Sequence, residues 1–131
     1  MANKNISVTP GVDIRTLHDA ITATATSNPV ACVGAAAIGV FLNQTAAGAG
    51  GTLTVQVSLD NGETYIDYNM LVSNVTNTNA QNLTRVASIA TSGVGKVIAW
   101  FDLATLGAIT HFKATLTVTA GTFTVTSAVR A

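Results

Sequence analysis

The stretch that decides the fold is the tail: Lys113-Ala-Thr-Leu-Thr-Val-Thr119, then Ala120-Gly121, then Thr122-Phe-Thr-Val-Thr-Ser-Ala-Val129. Apolar residues alternate with threonine on both sides of the Ala-Gly pair. A period of two sends alternate side chains to opposite faces of a strand, one face buried and one wet. A two-residue loop ending in glycine is a hairpin signal, because the favoured turns need a positive φ that glycine adopts without a Cβ clash. The tail therefore predicts an antiparallel hairpin, and the same alternation recurs upstream.

Thr52 to Leu59 is the clearest upstream strand: Leu53, Val55, Val57 and Leu59 point one way, and Thr52, Thr54, Gln56 and Ser58 the other. Asp60-Asn61-Gly62 then predicts a tight turn with a left-handed Gly62 and a bulge. Thr64 to Leu71 is expected to return as a strand, with Tyr65 and Tyr68 flanking Ile66 and falling on opposite faces. Val30–Val33 and Ile38–Leu42 predict two buried strands, or one broken near Gly34. Ala46–Gly51 reads as a small-residue loop and Ser73–Asn82 as an Asn/Thr loop. Arg85–Ile89 and Lys96–Phe101 are further strands, the latter carrying the lone Trp100, expected in the core. Asp102 is placed to cap one helical turn. Asp13–Ile21 is ambiguous, since Ile14, Leu17 and Ile21 also fit a helical spacing. Strands about ten residues apart, with turn signals between, predict an all-β antiparallel sandwich or jelly roll spanning residues 12–131, preceded by an arm over residues 1–11.

Composition narrows the function. Charged residues are 9% of the 131 and hydrophobic residues 48%, against about 25% charged in an ordinary soluble domain. Mean hydropathy is +0.45. Such a surface is either hydroxyl-rich and uncharged or covered by other subunits, whose interface cores are depleted in charge. Six bases balance six acids, and no basic stripe runs along the chain, so neither nucleic acid nor anionic membrane is an expected partner. The N-terminus lacks an apolar h-region, so no signal peptide is expected. The longest apolar stretch, Val30 to Leu42, is too short to span a bilayer.

Chemistry-bearing residues are sparse. Cys32 sits among apolar neighbours and reads as a small buried hydrophobe. His18 and His111 are far apart in sequence and have no nucleophile elbow to serve. One cysteine and two distant histidines give no zinc spacing. Asp60, Asn61, Glu63 and Asp67 carry calcium-type oxygens, but Asp-Asn-Gly is also ordinary turn chemistry. No enzyme activity and no cofactor are expected.

The run Thr52-Leu-Thr-Val-Gln-Val-Ser-Leu-Asp-Asn-Gly-Glu-Thr-Tyr65 resembles one that recurs in small tailed-phage virion proteins. There a strand ends in an Asp-Gly or Asn-Gly turn followed by threonine and an aromatic. The stretch Ile109-Thr-His-Phe-Lys-Ala-Thr-Leu-Thr-Val-Thr-Ala-Gly-Thr122 is similar to their closing hairpin, where an aromatic and a base precede an alternating Thr/Val strand. The resemblance covers the second half of the chain and does not extend to Val30–Leu42 or to the Asn-rich loop. It implies a non-enzymatic β-sandwich component of the virion: a capsid decoration (cement) protein, or a head-fibre or tail accessory protein, assembled in the bacterial cytoplasm. The implied partners are further copies of the chain, a trimer among the forms considered, and the major capsid or other virion proteins. On that reading the arm or the apolar stretch docks on neighbours, through Ile6, Val8, Val33, Ile38, Val40, Phe41 and Leu42. The competing expectation is a carbohydrate- or host-surface-binding module that uses Tyr65, Tyr68, Asn77 and Asn79.

Overall fold

The computed structural model describes residues 12–77 and 80–131. In chain order the elements are β1 (Val12–Ile21), β2 (Ala25–Thr26), β3 (Val30–Ala31), β4 (Ala37–Ser58), β5 (Ile66–Tyr68), β6 (Met70–Asn77), β7 (Ala80–Val86), β8 (Ile89–Thr91), β9 (Gly95–Trp100), α1 (Leu103–Leu106) and β10 (His111–Arg130). Every strand pairing among them is antiparallel, as the alternation predicts. Asp13–Ile21 is strand, not helix. The arm over residues 1–11 lies outside the described residues.

Two very long strands organise the rest. β4 runs 22 residues and β10 runs 20, and they pair from His111↔Ser58 to Arg130↔Ala37. Each is divided by an irregularity at the same level. On β4 Ala46 faces Thr122 and Gly50 faces Ala120, so residues 47–49 lie opposite Gly121 alone. The outcome is two limbs joined at a corner. On one limb the sheet order is β1-β10-β4-β9-β6-β7. On the other, β2 and β3 flank β10 while β5 and β8 flank β4.

The tail is therefore not a hairpin. β10 continues through Ala120-Gly121 and pairs with β4 instead of with itself. The reason lies in parity. Phe112, Ala114 and Leu116 are buried before the corner and Phe123, Val125 and Ser127 after it, so the inward set switches from even to odd. A two-residue hairpin loop demands that switch, and an irregularity that shifts register by one residue produces it equally. The positive φ of Gly121, 123°, serves the corner rather than a turn. β4 switches too, from Ile38, Val40 and Leu42 to Leu53, Val55 and Val57. Its Ala46–Gly51 segment is the corner within a strand, not a loop.

Both limbs turn their inward residues to one core, in which Leu42, Leu53, Val55, Phe112, Leu116, Phe123 and Val125 are fully buried. Contacts cross between the limbs. His18 of β1 places Nε2 3.0 Å from the Ala114 carbonyl oxygen. Phe101, just past β9, meets Phe112 edge-on at 5.3 Å. Cys32 is buried, and burial pushes its thiol up to about 11, which removes the thiolate a nucleophile needs.

Close approach explains the small residues at the corner. A Cβ on Gly48 would stand 2.4 Å from the Ala120 carbonyl carbon, and one on Gly50 1.9 Å from the Thr91 oxygen. Gly50 also holds φ at 113°, outside the ordinary range of L-residues. The buried Gln44 side chain ties the segment down, its Nε2 donating to the carbonyls of Ala46 (3.0 Å) and Gly48 (3.2 Å).

Other expectations need correction. Leu59 is exposed and Ser58 buried, because the strand ends at Ser58 to start the turn. The Ser58 hydroxyl accepts from the Gly62 N–H at 2.9 Å and donates to Asp60 Oδ1 at 2.8 Å. Residues 73–77 and 80–82, expected as loop, are strand: they belong to β6 and β7, which pair with each other. Asp102 caps α1, accepting from the Ala104 N–H at 3.0 Å, as expected.

Replacing Gly50 with alanine should lower stability by about 3 kcal/mol or more, because strain and a backbone clash add. Gly107→Ala, at φ −73° with open space around the new Cβ, should leave it within about 0.5 kcal/mol. Urea denaturation midpoints of the two variants check this; equal midpoints would contradict the corner's role.

Candidate interaction surface

Alternation on β4 settles which residues of the apolar stretch face outward. Ile38, Val40 and Leu42 are core, so the expectation that they form an interface fails. Phe41, between them, lies on the other face and is half-buried. It stands opposite Thr126 of β10 and Ile98 of β9. Two residues along, Gly39 stands opposite Ala128 and Trp100. Trp100 in turn faces Leu71 of β6, and Ser73 of β6 faces Leu83 of β7. Cross-strand partners share a face of the sheet. Phe41, Leu71, Leu83, Ile98 and Trp100 therefore lie on one outer face that runs over β4, β9, β6 and β7.

Trp100 is not in the core, contrary to expectation: it is 38% exposed, and Ile98 is 47% exposed. The inward place at this level belongs to Ala99, fully buried, and Phe101 fills the core beyond it. Gly39 leaves the backbone bare beside the indole, since a Cβ there would meet Trp100 Cδ1 at 3.7 Å. The pattern Lys96-x-Ile98-x-Trp100 carried the signal: a lysine at the same parity marks the outward face.

Phe41, Ile98 and Trp100 form a ridge with a hollow on each side. One hollow, of about 250 Å³, is lined by these three with Gly39, Thr126 and Ala128. The other, of about 450 Å³, adds Val72, Ser73 and Lys96. Charge on this face is light. Lys96 lies at its rim, opposite Asn43, and the nearby Arg85 is paired with Asp102. That pairing holds the Asp102 carboxyl below the usual carboxylate range, helped by the Ala104 N–H.

The remaining interface candidates lie elsewhere. Val33 is 73% exposed and lines a separate hollow of about 250 Å³ with Val12, Cys32 and Val129. Ile6 and Val8 lie outside the described residues. Of the candidates for surface binding, Tyr68 stacks on Phe101 at 4.8 Å and its hydroxyl accepts from the Asp102 N–H at 2.7 Å. The Tyr65 ring carries Lys113 Nζ 4.2 Å from its centroid, a cation–π contact. Both tyrosines are thus engaged within the fold. Asn77 ends β6; its side chain and Asn79 lie outside the described residues.

Asp60 spends its oxygens on the turn: the Thr64 N–H donates at 2.9 Å, the Thr64 hydroxyl at 2.5 Å and the Ser58 hydroxyl at 2.8 Å. These bonds, the Thr64 hydroxyl first, hold its carboxyl down at about 2 from an ordinary 3.8. Among the described residues no three His, Cys, Asp or Glu side chains gather as a metal site, and no helix is long and apolar enough to cross a membrane.

No protein-family model matches the chain, and no curated protein matches it by sequence. Its fold is similar to that in the crystal structure of SPBc2 prophage-derived protein YomS. The TM-score is 0.62 over 96% of this chain and 98% of that one, at 14% identity. The shared property at that identity is the fold, matched end to end. A structure of infectious bursal disease virus Gt strain aligns at a TM-score of 0.31, with 14% identity, over 90% of this chain and 39% of that chain.

The pH dependence follows from Asp60. A carboxyl whose pKa is lowered by folding stabilises the folded state above its unfolded pKa, and that contribution fades as pH falls toward the folded value. The urea midpoint should therefore drop between about pH 4 and pH 2. Asp60→Asn should start lower at neutral pH and drop less across the same interval. An unchanged pH profile in that variant would contradict the assignment.

Proposed function

We propose that this chain is a non-enzymatic structural protein of a tailed-phage virion, of the capsid decoration (cement) kind, binding the capsid surface as an oligomer and stabilising it. The end-to-end fold likeness to a prophage-derived protein carries this reading. Three features support it. The chain is charge-poor and neutral overall, as a surface destined for contact tends to be. Its outer sheet face displays Phe41, Ile98 and Trp100 where a self-contained domain usually displays polar groups. Its Asp-Asn-Gly turn and threonine-rich closing segment resemble those of small tailed-phage virion proteins. The mechanism is adhesion: many copies, each with a modest contact, hold neighbouring subunits by avidity.

A sugar- or host-surface-binding module is the weaker reading. It needs aromatic rings free to stack on a ligand, and Tyr65 and Tyr68 are occupied by Lys113, Phe101 and Asp102.

Mass spectrometry of gradient-purified particles from the strain that encodes the chain tests the proposal. Its peptides should co-purify with the particles at a stoichiometry comparable to other structural proteins. Recovery only in the soluble fraction would contradict it, and retention on a glycan array would favour the module.

A further inference from the structure

We infer that the Phe41–Ile98–Trp100 ridge is where one copy of the chain seats on a second copy. The inference rests on the structural-protein reading above and names the partner for this face. Size is the first argument. The face crosses β10, β4, β9, β6 and β7, neighbours in the sheet. Strand spacings of ~4.8 Å and outward residues ~6.8 Å apart make it on the order of 25 Å by 20 Å, or roughly 500 Å². Thr126, Ser73, Lys96 and Arg85 share it with the apolar residues, and the face as a whole is of the size of the largest apolar patch of a monomer, roughly 300–600 Å². Two such faces together cover on the order of 1,000 Å², about where specific interfaces begin.

Shape is the second argument. A two-fold contact sets the same patch against itself, so it must be self-complementary. Here a ridge of three large apolar side chains runs between two hollows. A ridge flanked by hollows is relief of the kind that a two-fold contact can interlock. Gly39 deepens the nearer hollow, having no side chain beside Trp100.

Charge is the third. Six positive and six negative residues leave the chain neutral, so no long-range repulsion keeps copies apart. Lys96 stays at the rim, where a long side chain reaches water. Arg85 is already neutralised by Asp102. A strongly charged partner would find little here to pair with, whereas a second copy matches the face in both polarity and neutrality.

Trp100, the only tryptophan, reports directly on the contact. Sedimentation at micromolar concentration should give twice the 13.3 kDa protomer mass or a larger multiple. On dilution the tryptophan emission should shift to the red as the complex dissociates. Ile98→Asp, at a half-exposed position, should give a monomer with an unchanged far-ultraviolet spectrum, and Phe41→Asp should do the same. Val33→Asp, away from the face, should leave the mass unchanged.

A wild-type chain that stays monomeric overturns the inference, as does an oligomer that survives Ile98→Asp or dissociates without moving the tryptophan emission. A monomer whose emission shifts to the red when residues 1–11 are removed also overturns it, because the chain's own N-terminal segment would then cover the ridge. A monomer that still coats purified particles defeats this inference and leaves the virion reading standing. An oligomer dissociated by Ile98→Asp but absent from particles does the reverse.

Discussion

Everything in this fold turns on the corner where β4 and β10 change direction together. A long antiparallel pair left flat exposes one whole apolar face. Here the pair bends after about half its length, and both limbs then point their inward residues at the same core. The bend requires backbone to pass close to backbone. Gly48 runs against Ala120, and Gly50 against Thr91, at separations that no Cβ tolerates. Gln44 donates to two carbonyls of the irregular segment, those of Ala46 and Gly48, and so ties it to the buried end of the limb.

The corner also decides what is left outside. With the inward register of β4 fixed by Ile38, Val40 and Leu42, pleating leaves Phe41 no choice but the outer face. The same logic acts on β9, where Ala99 takes the inward place and commits Ile98 and Trp100 to the outside. Core packing and surface character are thus two consequences of one register. An apolar outer face built this way cannot be relieved by local repacking, only by substitution or by a partner. This links the fold to the proposed role in contact: the strands that carry the core also carry the ridge.

Sequence reading found the strand class because period two is written plainly in Leu53-x-Val55-x-Val57 and in the threonine-alternating tail. The turn at Asp60-Asn61-Gly62 and the cap at Asp102 were legible because each depends on side chains within four residues. The corner was not, since a hairpin and a register-shifting irregularity impose the same parity switch on Phe112-x-Ala114-x-Leu116 and Phe123-x-Val125. Only the partner strand distinguishes them, and β4 lies more than 50 residues upstream of the corresponding β10 positions. The asparagines of 73–77 and 80–82 misled in a similar way, because turn-forming composition was weighed above the strand pairing that these residues make. Trp100 misled because size was weighed above parity. The candidate face was half legible: Phe41 was singled out, but its neighbours Ile98 and Trp100 join it only through cross-strand pairing.

A cryo-EM map of the assembled particle tests the account most directly. The account predicts density for this chain on the particle, with Phe41, Ile98 and Trp100 covered by a neighbouring chain. A particle in which the chain is present but that face is open to solvent, with its contacts made by other surfaces, would contradict it.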